Sequence, residues 1–441
     1  MVTESPTSTS NIWGDRLFAI LTILVGISFL AILVLGSYYD QPITQALSFD
    51  IQDGQCDPET QGVGLHCFGD FHDIRKQLEL PIIWDGTLNP YPPTGLLPSL
   101  LVKPIESLFG VRVSLFFFIA LLFFAVATPA MYIVTTSTRT RRLYIRFACF
   151  VLFSQPVFFS LDRGNGSGFI VPLMMLYAVK LNRKPNWYAT LAIAGAAAIR
   201  PQFALLAVGL LAFGQIKHFL ASIFATLSMI FIPFIFWPGN HRTNLAMWFH
   251  NITSYSSGAK TDVAGKYPVN LSMRSVADHL DAFLKNSISS GFQNYYVLIS
   301  LIVLAAITCA LFACHKTNSK SLVLIVSLSL PCLMPETSFG YYSMFTLVLA
   351  SLIFSDASFF SSTANRNAIR ISEPNAIHQW FIISAVAIAV APIPFVFEVG
   401  RNSISLEFFG VIWSFVLLST VARLIADNRR FYHSEPNLVR E

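Results

Sequence analysis

From Leu17 to Tyr38 the chain runs without one charged side chain, and blocks of this kind recur almost to its end. Crossing a hydrocarbon core about 30 Å thick takes an α-helix of roughly 20 apolar residues. About twelve such blocks are readable, at 17–38, 112–134, 143–160, 167–180, 187–199, 202–215, 218–237, 294–314, 321–334, 340–355, 377–397 and 405–424. The shorter ones are expected to be kinked, broken or re-entrant, because irregular backbone at membrane depth is tolerated only inside protein or beside water. The stretch from Tyr91 to Phe109 is apolar but carries Pro92, Pro93, Pro98 and Pro104, and it is expected as a helix at the membrane surface. No internal repeat, low-complexity tract or separate soluble domain is evident. The expectation is an all-α polytopic membrane helix bundle of about twelve transmembrane helices, a single domain over residues 1–441.

Composition agrees with lipid as solvent. Hydrophobic residues make up 54% and charged residues 12% of the chain, against about 25% charged in soluble domains. The net charge of +5 lies mostly in short loops, so it carries topology information and predicts no nucleic-acid partner. Arg139, Arg141, Arg142 and Arg146 follow the second block, Lys180, Arg183 and Lys184 the fourth, and Lys217 the sixth. Lys316 and Lys320, Arg366 and Arg370, and Arg423, Arg429 and Arg430 follow the eighth, tenth and twelfth. Basic exits after every even-numbered block put both termini in the cytoplasm. The long hydrophilic loops, 39–111 and 238–293, then face outward. The first block is too long for a signal-peptide core and reads as an uncleaved anchor.

Of the six cysteines, Cys149, Cys309, Cys314 and Cys332 lie in or beside apolar blocks and read as small hydrophobes. Cys56 and Cys67 share the first hydrophilic loop, where a disulfide is expected if that loop meets an oxidising compartment. Sequons at Asn165, Asn251 and Asn270 fall on outward loops; such short patterns arise often by chance, and they carry weight only in a eukaryotic host.

Transport through a helix bundle usually leaves ionisable groups in the middle of spans. Here the block centres are almost free of charge, and polar chemistry gathers at the outward rim. In the first loop Asp70 and Asp73 stand three apart, on one face of any helical turn. A positioned carboxylate can take the proton of an attacking hydroxyl; equally, aspartate favours helix N-caps. The segment Asn89-Pro-Tyr-Pro-Pro is rigid and could hold that loop against the membrane, or serve as an ordinary turn. The turn Leu161-Asp-Arg-Gly-Asn-Gly-Ser-Gly168 opens a helix and, with Arg163, suits a phosphate, or is a plain tight turn. Arg200 sits at a Pro-marked break between two apolar half-blocks, where it either meets an anion or snorkels. Lys266, Asn270 and Arg274 add two cations and an amide in the second loop.

In order, Asp70-Phe71, Tyr91-Pro92-Pro93, Gly164-Asn165, Arg200-Pro201 and Asn270 with Ser272 resemble glycosyltransferase family 87 of the GT-C superfamily. The resemblance implies a transferase whose donor is a polyprenyl-phosphate sugar, with membrane lipid around it and a glycan or glycolipid acceptor of the cell envelope. It implies the aspartate of the first outward loop, by position Asp70, as general base; Asp73, a second nearby acid, departs from the family pattern and stands as the alternative base. Arg163, Asn165, Arg200, Lys266 and Arg274 would hold the donor phosphate, and Tyr91 and Asn270 would position acceptor or loop. Arg200 stands where lysine is common, and Gly164-Asn165 where Gly-Gln is common. Neither a metal ion nor a further cofactor is called on. The expected enzyme moves a hexose, mannose first, at the outer face of the plasma membrane. An arabinofuranosyltransferase of the same family is the alternative, and a lipid-linked sugar flippase is the rival from another class. A polymer ligase or polymerase of the same topology is a third reading.

Overall fold

The computed structural model describes residues 11–38, 68–80, 82–85, 89–137, 139–182, 187–258, 271–276, 289–335, 338, 340–356, 359–360, 376–391, 394–397, 400–403 and 408–434. Among these, the chain is helical apart from one hairpin, β1 (Pro394–Phe397) paired antiparallel with β2 (Gly400–Ser403). Cys56, Cys67, Lys266 and Asn270 lie outside the described residues.

The helices are α1 (Ile12–Tyr38), α2 (Gly69–Gln77), α3 (Leu97–Phe109), α4 (Val111–Val126), α5 (Thr128–Thr136), α6 (Arg141–Leu152), α7 (Gln155–Arg163), α8 (Val171–Lys180) and α9 (Trp187–Ile199). There follow α10 (Val208–Leu211), α11 (Ile216–Phe236), α12 (His241–Gly258), α13 (Ser289–Ala313), α14 (Lys320–Leu333), α15 (Phe345–Ser355), α16 (Ala376–Val390) and α17 (Phe409–Ser434). Tight 3-10 turns at Pro93–Leu96, Gly166–Ile170, Pro201–Ala207 and Gly340–Met344 lead into α3, α8, α10 and α15.

Each apolar block of the sequence falls on a helical segment, yet the segments differ in kind. Four are long and apolar enough to cross a membrane, within α1, α11, α13 and α17, and six if the bent pairs α4–α5 and α6–α7 each count as one crossing. Those pairs bend by 44° and 47°, and Pro129 and Pro156 sit at the start of their second halves, where proline cannot supply the helix hydrogen bond. The other six apolar helices are 10–17 residues long, which at 1.5 Å per residue is too short for a straight crossing. The block 377–397 ends early: α16 stops at Val390 and the chain turns into the hairpin, just past Pro392 and with Pro394 opening β1.

Burial sorts the helices further. In α14 every residue from Ser321 to Leu333 is buried, and in α15 every residue from Phe345 to Phe354; helices apolar all round belong inside a bundle. Around them, α11 turns Phe224 and Phe236 outward at 75% and 81% exposure, a surface suited to lipid and costly in water. Within 91–109 the chain forms the helix α3 from Leu97, which exposes Leu101, Leu108 and Phe109 and packs its other side on α4.

A second, smaller core sits outside the main one. Ile74, Ile83, Trp84, Tyr91, Leu96, Ile230, Phe234 and Trp248 form it, drawn from α2, the loop after it, α11 and α12. Trp248 Nε1 donates to the Pro90 carbonyl at 3.0 Å, and Asn251 Nδ2 donates to the carbonyls of Trp84 and Asn89 at 3.1 and 3.2 Å. This cluster fixes the polar loop carrying α2 to the bundle.

Candidate active site

Three helix breaks meet where α2 docks. The first is the turn after Tyr91. Thr94 Oγ1 donates to the Ala198 carbonyl at 2.7 Å, seating the turn on the end of α9. Gly95 is required there, because a Cβ would stand 2.7 Å from the Ile199 carbonyl oxygen. The second break follows α7, where Gly164 takes a left-handed conformation at φ 61°, open to glycine at little cost. The third is Arg200, extended at φ −140° and ψ 110° ahead of Pro201.

The side chains from these breaks converge on one carboxylate. Arg163 Nη2 donates to Asp70 Oδ1 at 2.8 Å, and Arg163 Nε to Oδ2 at 3.1 Å, a bidentate pair. Asn165 Nδ2 donates to Oδ2 at 2.5 Å, while its Oδ1 accepts the Ser167 N–H at 2.8 Å. Arg200 Nε donates to Ser167 Oγ at 3.0 Å and its Nη2 donates to the Tyr91 hydroxyl. The Arg200 guanidinium lies 3.7 Å from the centre of the Tyr91 ring and 5.7 Å from that of Tyr342. Arg163, Asn165 and Arg200 are buried, at 8%, 1% and 5% exposure.

Asp70 is not the N-cap of α2. Phe68 occupies that place, and Asp70 lies in the first turn with its carboxylate turned to side chains. Burial alone would raise its pKa. The charge of Arg163, the hydrogen bonds from Arg163 and Asn165 and the charge of Arg200 outweigh that and hold the carboxyl below its ordinary value. Oδ2 receives two donors and Oδ1 one, so Oδ1 keeps lone-pair capacity for a further hydroxyl.

Five residues singled out in the sequence are therefore one network: Asp70, Tyr91, Arg163, Asn165 and Arg200. Asp73 is on the same helix but exposed. Arg274 stands on a separate turn, whose neighbours Leu271 and Met273 bond to the carbonyls of Ser338 and Leu333 at 2.9 Å each; the turn after Ser338, Gly340–Met344, packs on α7 and on Gly166–Ile170. Sequence reasoning missed Ser167, which links Arg200 to Asn165, and Tyr342. It also missed Asn251 and Trp248, whose signal was an amide and an indole in a polar helix among aromatics. At two of the sequons the Asn165 and Asn251 amides are buried and hydrogen-bonded to protein, as patterns arising by chance would be.

The model of glycosyltransferase family 87 matches residues 89–335, more than half of the 441-residue chain. The chain belongs to that family. A search of curated proteins finds no match. Membership in glycosyltransferase family 87 makes this a membrane glycosyltransferase. The matched stretch carries Tyr91, Arg163, Asn165 and Arg200; Asp70 precedes it in sequence and reaches it through the contacts of α2.

Proposed function

We propose that this family 87 transferase moves a sugar, mannose first, from a polyprenyl-phosphate donor to an envelope glycan or glycolipid at the outer membrane face. The supporting observation is the cluster of half-buried Asp70 with buried Arg163 and Asn165, set beside a second buried arginine at the meeting of three helix breaks. The acceptor oxygen attacks the anomeric carbon as its proton passes to Asp70 Oδ1. The bond from that carbon to the phosphate oxygen breaks, and polyprenyl phosphate leaves with the electron pair. Arg163 and Arg200 stabilise the charge gathering on it, with Lys266 and Arg274 as further cations and Asn270 positioning the acceptor. The same chemistry with an arabinofuranosyl donor is the second reading.

The topology belongs to the proposal too. The six short apolar helices complete about twelve crossings as buried part-length helices, both termini are cytoplasmic, and residues 1–441 act as one domain of GT-C type. The alternating basic exits support this orientation.

The test is Asp70→Asn and Asp73→Asn in membranes incubated with a panel of labelled polyprenyl-phosphate sugars. Loss of a general base costs about 10²–10⁴-fold, so Asp70→Asn nearly abolishes transfer and Asp73→Asn is mild. The pair is not equivalent for folding, because Asp70 is bound to a buried arginine and Asp73 is exposed; the folded fraction of each variant is measured alongside. A dead Asp73→Asn with an active Asp70→Asn reverses the roles. Full activity in both removes the mechanism.

A further inference from the structure

The Asp70 carboxylate and the Arg163 guanidinium present a conflict that the proposed chemistry must resolve. A base that takes a proton gains from being free of cations, and a cation that holds a phosphate gains from being free of carboxylates. Here each occupies the other through two hydrogen bonds, at 2.8 and 3.1 Å. The pair is shielded, with side-chain exposures of 9% for Arg163 and 16% for Asp70. Bidentate recognition by arginine suits carboxylate and phosphate alike, because both present two oxygens to the same planar fork.

Surroundings narrow what can move. Asn165 is pinned from both ends, donating to Asp70 and accepting from the Ser167 backbone. Arg200 is engaged by Ser167, the Tyr91 hydroxyl and the Tyr91 ring. Of the charged groups on the surface helix packed against α2, Lys103 donates to the Leu78 carbonyl and Glu106 accepts from Arg75. On α2 itself Arg75 also binds Glu79, His72 lies edge-on to Phe71, and Asp73 is exposed. Arg163 is different in position. It is the last residue of α7, and the cap after it is held by bonds from the Gly164 and Asn165 N–H groups to the Leu161 and Ser160 carbonyls at 3.1 Å each, so its long side chain can change partner while the backbone of the helix end stays in place.

Resting on the polyprenyl-phosphate reading, we propose that Arg163 is a switch: donor binding transfers its guanidinium from Asp70 to the donor phosphate, so the base is released only when a leaving group is in place. Asn165 keeps its hold on Oδ2 throughout and keeps the carboxylate aimed, while Arg200 acts on the phosphate by its charge from its present place, still bonded to Ser167 and Tyr91. An empty site would hold Asp70 as a weak base and leave water or a stray hydroxyl unactivated. The handover costs an ion pair and regains one, which leaves donor affinity little changed while the carboxylate becomes more basic. An arginine beside an aspartate lowers its pKa by about 1–3 units, so release raises the proton affinity of Asp70 by about tenfold to a thousandfold.

The full chain in lipid nanodiscs tests this with farnesyl methyl phosphate, a diester that carries the lipid and the phosphate of a donor but no sugar. A structure with the diester bound should show Arg163 within hydrogen-bond reach of a phosphate oxygen and out of reach of Asp70, with Asn165 still on the carboxylate. Infrared titration of the Asp70 carboxyl band, identified by its loss in Asp70→Asn, should shift upward in pH by about 1 unit or more on adding the diester. In Arg163→Gln the band should already titrate high and move little. Arg163 still bidentate on Asp70 beside a bound diester overturns the switch and leaves the donor reading standing, as does an unmoved titration. A diester that does not bind at all removes the donor reading, and the switch with it.

Discussion

Gly95→Ala probes how the site is assembled without touching a reacting group. A Cβ at this position lies 2.7 Å from the Ile199 carbonyl oxygen, with Pro92 Cδ and Tyr91 Cδ1 at 3.3 Å each. The nearest obstacle is backbone, and the other two are ring atoms, so no side-chain rotation relieves the contact. The turn must lift off the end of α9 by several tenths of an ångström. Inserting a methyl into a packed site costs about 1–3 kcal/mol, and lifting the turn also stretches the 2.7 Å bond from Thr94 to the Ala198 carbonyl. Function should fall further than stability, because Tyr91 rides on this turn and its hydroxyl accepts from Arg200. Misplacement by about 1 Å commonly costs about 10²-fold in rate, so a shift below that predicts roughly a tenfold loss of transfer. The assay is transfer with the best donor of the panel, set beside thermal unfolding in detergent. Gly166→Ala is the stability control: its Cβ meets nothing within 4 Å, so its unfolding midpoint should equal that of the wild type. If Gly95→Ala matches wild type in both measurements, the turn is not seated on α9 as described.

The other predictions are more local. Expression in a glycosylating host should add no glycan mass at Asn165 or Asn251, and Asn251→Ala should cost about 1–3 kcal/mol by stranding the carbonyls of Trp84 and Asn89. A cysteine placed at Ser256 should react with an impermeant thiol reagent added to intact cells; labelling in inverted vesicles alone reverses the orientation. Because Asp70 is held below its ordinary value of 3.8, its pairing contributes stability above that pH and loses it as pH falls through the lower folded value. The unfolding midpoint should therefore show no Asp70-dependent change between neutrality and about pH 5, with an acid-side drop that is shallower in Asp70→Asn.

How much of this was legible depended on range. Apolar blocks report local burial, and each found its helix, including the break at Arg200-Pro201, whereas the bend at Pro129 inside the block 112–134 was not read. What the blocks could not report is whether a short apolar helix crosses a membrane or is wrapped by others, since α14, buried along nearly its whole length, and α11, with Phe224 and Phe236 turned outward, both read in sequence simply as apolar blocks. The site was legible as a set of residues and illegible as a circuit. Arg163 and Asp70 are separated by 93 positions, so nothing in either neighbourhood showed that the cation expected for a phosphate is held by the aspartate. The sequons show the same limit: Asn-x-Ser/Thr is a local pattern that arises often by chance, whereas access to Asn251 is decided by Trp84 and Asn89, far along the chain.

That the three helix breaks coincide has a physical cause. Every break frees backbone groups which lipid cannot satisfy, so in a membrane protein breaks are tolerated where protein or trapped water can serve them. Here they serve each other. Thr94 takes the Ala198 carbonyl at the end of α9, Asn165 takes the Ser167 N–H, and Ser167 Oγ takes Arg200 Nε. A buried arginine is costly alone, and the breaks supply the hydroxyls and rings that make Arg200 affordable. The same gathering of polar atoms gives Asp70 a shielded site lined with donors, which is what the proposed displacement at a sugar would require. Fold and chemistry thus place the same demand on the rim of the bundle. A variant that heals one break, such as Pro201→Ala, should weaken the site by straightening α9 into Pro201–Ala207 and withdrawing Arg200 from Ser167. Wild-type transfer and stability in Pro201→Ala would show that the break is held by tertiary contacts alone and that proline there is dispensable.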